Sequence, residues 1–356
     1  MKKTIIALAL LAAVAVTAYS QRATIAARLM EKGLESLLGA DIVAGLEDGL
    51  HLALCGAGGP LPAPNASGPC VAVVAGKQLF IVDAGTDGPR NLARMGYQPG
   101  TVKGVFLTHF HSDHIDGLGE LSTLRWAGGD NATPLPVYGP RGVERVVDGF
   151  NAAYAQDFSY RHEHHGDLVA PMSAAGMQAV AFDKPPMGEL TLVYEGEDLK
   201  VEMLAVDHSP VEPAVGYRFS YKGRSLLISG DTTKQANIQK FSESIDLLVH
   251  EALAPNLVNM MNATAQKLCN EIMAKITHDI LDYHASPVEA AETARDAGVG
   301  HLLYYHIVPP LVIPGQDLLY LNGAEDIFPD YTIGEDGVAF TLPANSTEII
   351  KTSNGL

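Results

Sequence analysis

The sequence predicts an α/β fold in which strands are buried under helices. Three observations carry this. From residue 50 onward short apolar runs alternate with helical stretches, glycines and prolines punctuate them, and the apolar content is high enough to fill a large core. A chain of 356 residues makes one large domain or two small ones. Hydrophobic residues at 47% against charged ones at 18% exclude a disordered chain. The formal net charge is −17. A surface this acidic repels a phosphate backbone, so no nucleic acid is expected as a partner. A small anionic ester, drawn in by a local metal charge, is compatible with it.

The chain opens on Met1-Lys2-Lys3, followed by an apolar run over 5–18 and by Ala18-Tyr19-Ser20, with small residues three and one before a cut ahead of Gln21. This is the pattern of a secretory signal peptide over 1–20. An uncleaved anchor is the alternative, but the run is shorter than the roughly 20 apolar residues a span needs. The mature chain is therefore expected to be periplasmic or secreted, with no stable membrane anchor after cleavage. Residues 21–49 read as a helical extension, with Leu29, Leu34, Leu37 and Leu38 on a rough stripe over 22–48. The remaining 50–356 read as the main domain.

Apolar runs mark strands at 50–54, 70–75, 79–83, 102–108, 199–206, 217–221, 225–229, 245–249 and 301–305. The clearest helix start is Ser286-Pro287-Val288-Glu289: serine at the N-cap, proline in the first turn and glutamate placed to complete a capping box. That helix runs to Ala297, and Gly298 is a fitting stop. Two stretches, 151–172 and 255–261, either roof a site or pack on the core, and the tail over 309–356 is expected to add strands and a cover. Of the three cysteines, Cys55 and Cys70 flank a Gly/Pro-rich loop and either form a disulfide or stay free with Cys269. Without a CxxC pair they make no thiolate zinc site.

The strongest chemical signal is Thr108-His109-Phe110-His111-Ser112-Asp113-His114, directly after an apolar strand. Strand alternation puts His109 and His111 on one side, and the loop beyond turns Asp113 and His114 toward a second centre. Four other strand ends carry ligand-type residues: Asp207-His208, Gly230-Asp231, His250-Glu251 and His306. In α/β folds, sites form outside the carboxyl ends of strands. The assignment that follows gives one metal to His109, His111 and His208 and a second to Asp113, His114 and His306. Asp231 bridges them together with a shared water that Asp113 also orients. Nitrogen and oxygen ligands suit two divalent ions, zinc before manganese or iron. His162, His164 and His165 read as a solvated loop, His51 and His301 as strand residues, and His278 as an exposed helix end.

These residues resemble the metallo-β-lactamase fold and, within it, the ribonuclease Z-like branch, over about 50–310. His-x-His-x-Asp-His at 109–114 carries the superfamily. The branch is carried by His208 ahead of Gly216-Tyr217-Arg218, by Ser229-Gly230-Asp231, by His250-Glu251-Ala252 and by Tyr283-His284-Ala285-Ser286. The opening Leu52-Ala53-Leu54-Cys55-Gly56-Ala57-Gly58-Gly59-Pro60 looks like the family's first strand and glycine turn. The resemblance implies a four-layer αβ/βα sandwich and a dinuclear hydrolase. It implies that His284 protonates the leaving oxygen as general acid and that Glu251 positions it. Only eleven residues separate Arg218 from Gly230, so the arm that grips transfer RNA in the branch's bacterial form is missing at that place. Ala57 and Leu253 stand where the family commonly has threonine. The segments 56–70 and 306–310 resemble exported arylsulfatases and phosphodiesterases. The expected activity is hydrolysis of phosphodiester or aryl sulfate esters. The alternatives are a lactonase or β-lactamase-type hydrolase and a non-catalytic exported metal-binding protein. A homodimer is left open.

Overall fold

A computed structural model describes residues 4, 6, 17–39 and 41–353. Apart from residues 4, 6 and 17–20, the expected signal peptide lies outside the described residues. Ile42–Leu356 is one compact unit, and the chain up to Asp41 is another. In the latter, the helix Arg22–Leu38 exposes Ile25, Leu29, Met30 and Leu34. The helical stretch expected over 22–48 is thus two pieces. The second, Ile42–Gly45, places Val43 in the same buried cluster as Met95 and Tyr97. No helix among the described residues is long and apolar enough to cross a membrane.

The strands are β1 (Gly49–Gly56), β2 (Cys70–Ala75), β3 (Gln78–Val82), β4 (Val102–Phe106), β5 (Leu135–Pro140), β6 (Met177–Phe182), β7 (Leu190–Gly196), β8 (Leu199–Ala205), β9 (Val215–Tyr221), β10 (Arg224–Ile228), β11 (Leu247–Leu253), β12 (His301–Val308), β13 (Tyr331–Ile333), β14 (Val338–Pro343) and β15 (Ile350–Ser353). They form two sheets, ordered β15-β14-β1-β2-β3-β4-β5-β6 and β13-β12-β11-β10-β9-β8-β7. Pairing is parallel from β3 to β6 and from β10 to β13, and antiparallel elsewhere.

Strand alternation explains the four layers. Leu50, Leu52, Leu54, Val71, Val73 and Phe80 point to the space between the sheets, where they meet Val201, Met203, Tyr217, Phe219 and Ile228. The alternate residues of the first sheet, among them Ala53, Ala72, Val74, Ile81 and Val105, pack outward on Leu92, Leu118, Leu121, Val143 and Val147 of three helices. On the far side Leu204, Leu227, Leu248 and Leu302 pack on Ile238, Leu257, Ala290 and Ala294. This unit is a helix–sheet–sheet–helix sandwich, the expected αβ/βα layering.

The stretch over 151–172 belongs largely to the helix Val143–His165, so His162, His164 and His165 sit in its last turn rather than in a loop. Val143, Val147 and Phe158 are its buried residues, at spacings of four and eleven, and this stripe outweighs the polar histidines. Phe158 packs on Trp126, Ala170 and Ala174, so this stretch contributes to a small core cluster. The helix Pro287–Ala297 has both halves of its capping box. The Ser286 hydroxyl oxygen accepts from Glu289 N, and Ser286 N donates to the Glu289 carboxylate, while Gly298 ends the helix in the left-handed region. Cys55 and Cys70 are disulfide-bonded and Cys269 is free and exposed.

Candidate metal centre

β4 runs into Thr108 and His109; His111 then caps the short helix Ser112–Ile115, which carries Asp113 and His114. β8 leads to His208, β10 to Asp231, β11 holds His250 and Glu251, and β12 holds His306. Two backbone devices aim these side chains. Gly230 adopts a φ of 63°, and a Cβ there would stand 2.6 Å from Val215 O and 2.9 Å from the Thr108 Cβ, so only glycine lets Asp231 turn in. His306 is the extra residue of a β-bulge: Glu251 pairs with Tyr305 and Ala252 with Ile307. A bulge re-aims a side chain next to a site.

The result is convergence. Asp231 Oδ2 lies 3.2 Å from His306 Nε2, 3.4 Å from His114 Nε2, and 3.8 Å from both His109 Nε2 and His208 Nε2. Asp113 Oδ2 is 3.3 Å from His306 Nε2 and 3.6 Å from His114 Nε2. His109 Nε2 and His111 Nδ1 face each other at 3.0 Å. Two donor groups can each hold one ion, His109–His111–His208–Asp231 and Asp113–His114–His306, with all donor atoms of a group within 4.8 Å of one another. A third grouping, Asp231–His284–His306, overlaps both.

The donor set fits metal. Two nitrogens held at about 2.0–2.1 Å by one tetrahedral ion lie roughly 3.3 Å apart, which is close to the spacings above. His114 Nε2, His208 Nε2 and Asp231 Oδ1 are buried without a hydrogen-bond partner, which is costly unless a cation meets them. Their opposite ring nitrogens are occupied. His208 Nδ1 donates to Tyr283 O at 2.8 Å and His114 Nδ1 to Asp83 Oδ2 at 2.8 Å. The Thr108 hydroxyl donates to Asp83 Oδ2 and leaves its oxygen to accept from His109 Nδ1 at 3.1 Å. Three imidazoles are thereby fixed with a bare Nε2 turned inward, the outer bonding a ligating histidine needs.

Electrostatics agree. Burial holds His109 well below its ordinary pKa and lowers His208 and His111, so all three are neutral donors. His114 differs: burial works against its charge, but Asp231 and Asp83 outweigh it and hold that ring well above its usual value, so a cation at its Nε2 would displace a proton. Asp231 is held well below the carboxylate range despite its burial, by His306, His114 and His109.

His284 stands beside this cluster, its ring 5.1 Å from that of His208. Glu251 Oε1 accepts from His284 Nδ1 at 3.1 Å, from Ala285 N at 3.0 Å and from Thr232 N at 3.1 Å. Burial pulls the His284 pKa down, but the Glu251 charge and hydrogen bond push it up to about 9. Sequence reasoning overlooked Asp83. It closes the run at 79–83 and so was visible as one more carboxylate at a strand end. It also overlooked Asp336, which accepts from Ala57 N, Ser67 N and Asn91 Nδ2 at 2.8–2.9 Å and anchors the first glycine turn. His51, His301 and His278 lie away from the centre: the first two are strand residues and the third is exposed on a helix.

The metallo-beta-lactamase superfamily is matched over residues 64–297. A ribonuclease Z of Mycobacterium avium is 32% identical over 289 residues, 81% of this chain and 96% of that protein. A ribonuclease Z of Mycolicibacterium gilvum is 34% identical over 274 residues, 75% of this chain and 87% of that protein. Among solved structures, the metallo-beta-lactamase fold protein YhfI from Bacillus subtilis superposes with a TM-score of 0.57 at 20% identity, over 82% of this chain and 99% of that one. The short form of human tRNase Z does so at 0.56 and 19%, with the same coverage. These findings correct the expectation that no nucleic acid is a partner, because the relatives that match most of the chain are ribonucleases by name. The physical reason is that net charge describes a whole surface, whereas a phosphate is met locally, and cations held at one rim would reverse the sign there. The chain belongs to the metallo-beta-lactamase superfamily of metal-dependent hydrolases.

Proposed function

We propose that this chain is a metal-dependent phosphodiesterase. The observation that carries the reading is the His284–Glu251 pair standing beside a seven-ligand cluster. In this reading His109, His111 and His208 hold one divalent ion, Asp113, His114 and His306 hold the other, and Asp231 lies between them. Such ions, zinc by donor type, would supply Lewis acidity toward water and toward the phosphoryl oxygens. The chain's own residues do the rest. His284 keeps Nδ1 donated to Glu251 and offers a proton from Nε2 to the leaving oxygen. Glu251, held by two backbone N–H groups, fixes the ring's tautomer and orientation. Asp113 faces the same space and orients the attacking water.

The relatives' name adds an RNA phosphodiester to the substrates to be tried first. An aryl sulfate has a similar tetrahedral anionic centre and is the comparison substrate. Export belongs to the same proposal, supported by the apolar run over 5–18 and by the Cys55–Cys70 disulfide. N-terminal sequencing of the mature protein tests it. The activity is tested with metal-loaded protein on a chromogenic bis-aryl phosphate, an aryl sulfate and a transfer RNA. Rates that survive both His284→Ala and Asp231→Ala would sink the proposal.

A further inference from the structure

A large cavity opens beside the metal centre and takes no part in the chemistry above. It encloses about 710 Å³, within the range of small-molecule sites. Its walls come from the helix Pro255–Lys267 (Leu257, Met260, Met261), from Leu61 and from the segment after β12 (Pro309, Ile313). Two of these walls grow out of the site itself. Pro309 is three residues beyond His306, at most about 11 Å along the chain. Leu61 is two residues beyond Gly59, where a Cβ would stand 3.0 Å from His306 Cε1.

The lining contains no charged side chain and no aromatic ring. Its three polar side chains are already engaged. The Thr264 hydroxyl donates to Met260 O, Asn270 Oδ1 accepts from Met273 N, and Gln316 bonds Val312 N, Ile313 N and Pro310 O. The cavity therefore offers a ligand no stacking face and few free polar groups, chiefly the Asn270 amide N–H and the Thr264 oxygen, whereas a nucleobase is held by stacking and hydrogen bonds. What fits is a flexible aliphatic chain, gripped by Met and Leu side chains that adapt their shape. The rim is also unusually apolar for a surface, with Met260 at 58%, Leu268 at 72% and Ile313 at 67% exposure.

We infer that this cavity is a subsite for the long alkyl or acyl chain of an amphiphile whose anionic ester lies at the histidine cluster. The head group rests on the phosphodiesterase reading; the aliphatic tail does not. The test has two arms. In the first, metal-loaded full-length protein turns over methyl, hexyl and dodecyl 4-nitrophenyl phosphate, and KM is expected to fall by up to about fourfold per added methylene until the cavity is full. In the second, dansylundecanoate, kept below its critical micelle concentration, is expected to bind saturably by fluorescence whether or not metal is present. Ile313→Asp and Met260→Asp, both at exposed rim positions and checked for folding by thermal melting, should flatten the chain-length dependence and weaken the probe at least tenfold. Equal KM across the series, or parent-like probe binding in both variants, overturns the inference. Probe binding without turnover of any diester refutes the phosphodiesterase reading and leaves the subsite standing. A dimer that excludes the probe and dissociates in both variants would assign the face to a second copy and overturn the proposal.

Discussion

Glu251→Gln separates the proton-donor role of His284 from its place in the architecture. Glutamine keeps an oxygen for Thr232 N and Ala285 N, so the backbone around β11 and the capped helix stays held. What it removes is the negative charge that, with its hydrogen bond, leads the upward push on His284, against burial as the largest downward one. Cations at the neighbouring ligands would oppose charge on His284 in parent and variant alike, so the comparison is made between the two metal-loaded proteins. With the ring at about 9, nearly all His284 is imidazolium near neutrality. Without Glu251, burial carries it to or below the ordinary value near 6.5, and at about pH 7.5 only some tenth of the ring is charged. The expected kcat loss at that pH is therefore roughly tenfold, largely recovered toward about pH 5.5. The parent should lose activity only as pH rises through about 9. Leaving-group dependence sharpens the test. A 4-nitrophenolate departs without help, whereas an alkoxide needs the proton, so the deficit should be large on an alkyl diester and small on the bis-aryl one. A deficit of equal size on both substrates and flat across pH would refute the assignment of His284 as general acid.

Three further outcomes follow from the same geometry. Asp83→Ala removes the acceptor for Thr108 N, the Thr108 hydroxyl and His114 Nδ1, and should weaken metal binding about 10–100-fold in a chelator competition while the far-UV spectrum is kept. The paired change Cys55→Ala with Cys70→Ala opens a loop of sequence separation 15 and should cost about 3 kcal/mol in urea unfolding; an unchanged midpoint would show that the hydrogen bonds of Asp336 and Asn91 hold the loop without the disulfide. His301 is half-buried and, mainly through the desolvation that brings, depressed from 6.5 to about 4 in the fold, so the unfolded chain takes up its proton first. Its contribution is intact above 6.5 and is lost as pH falls through 4, so His301→Gln should resist acid over that window better than the parent; parallel loss in both would contradict it.

How much of this was legible in the sequence depends on how local each signal is. The donors at 109–114 are contiguous and follow an apolar run, so they could be read directly. His208, Asp231 and His306 span 98 residues and begin 94 residues beyond His114, yet each ends a strand, and the rule that α/β sites form at carboxyl ends joined them. The long helix Val143–His165 was partly hidden because three histidines near its end look like a solvated loop, while its buried positions are sparse. Asp83 and Asp336 were passed over for another reason. Neither touches the reacting space, and each acts by bonding a residue distant in the chain, a relation no periodicity announces.

The bulge at His306 ties these levels together. In an unbroken parallel pairing, residue 306 would sit opposite Ala252 and obey the alternation that sends Tyr305 into the core between the sheets and Tyr304 to the outer layer. One unpaired residue resets that alternation after Tyr305, and a φ of 47° turns the imidazole to the rim, where Nε2 meets both Asp113 and Asp231. The same step re-registers Ile307, whose N–H then reaches Ala57 O and ties the glycine turn to β12. The ligand, the wall of the aliphatic cavity and the anchoring of the first loop thus depend on a single inserted residue. Deleting it would restore regular pairing at the cost of all three, so a chain lacking His306 should differ from His306→Ala: both lose a metal ligand, but only the deletion should also abolish dansylundecanoate binding.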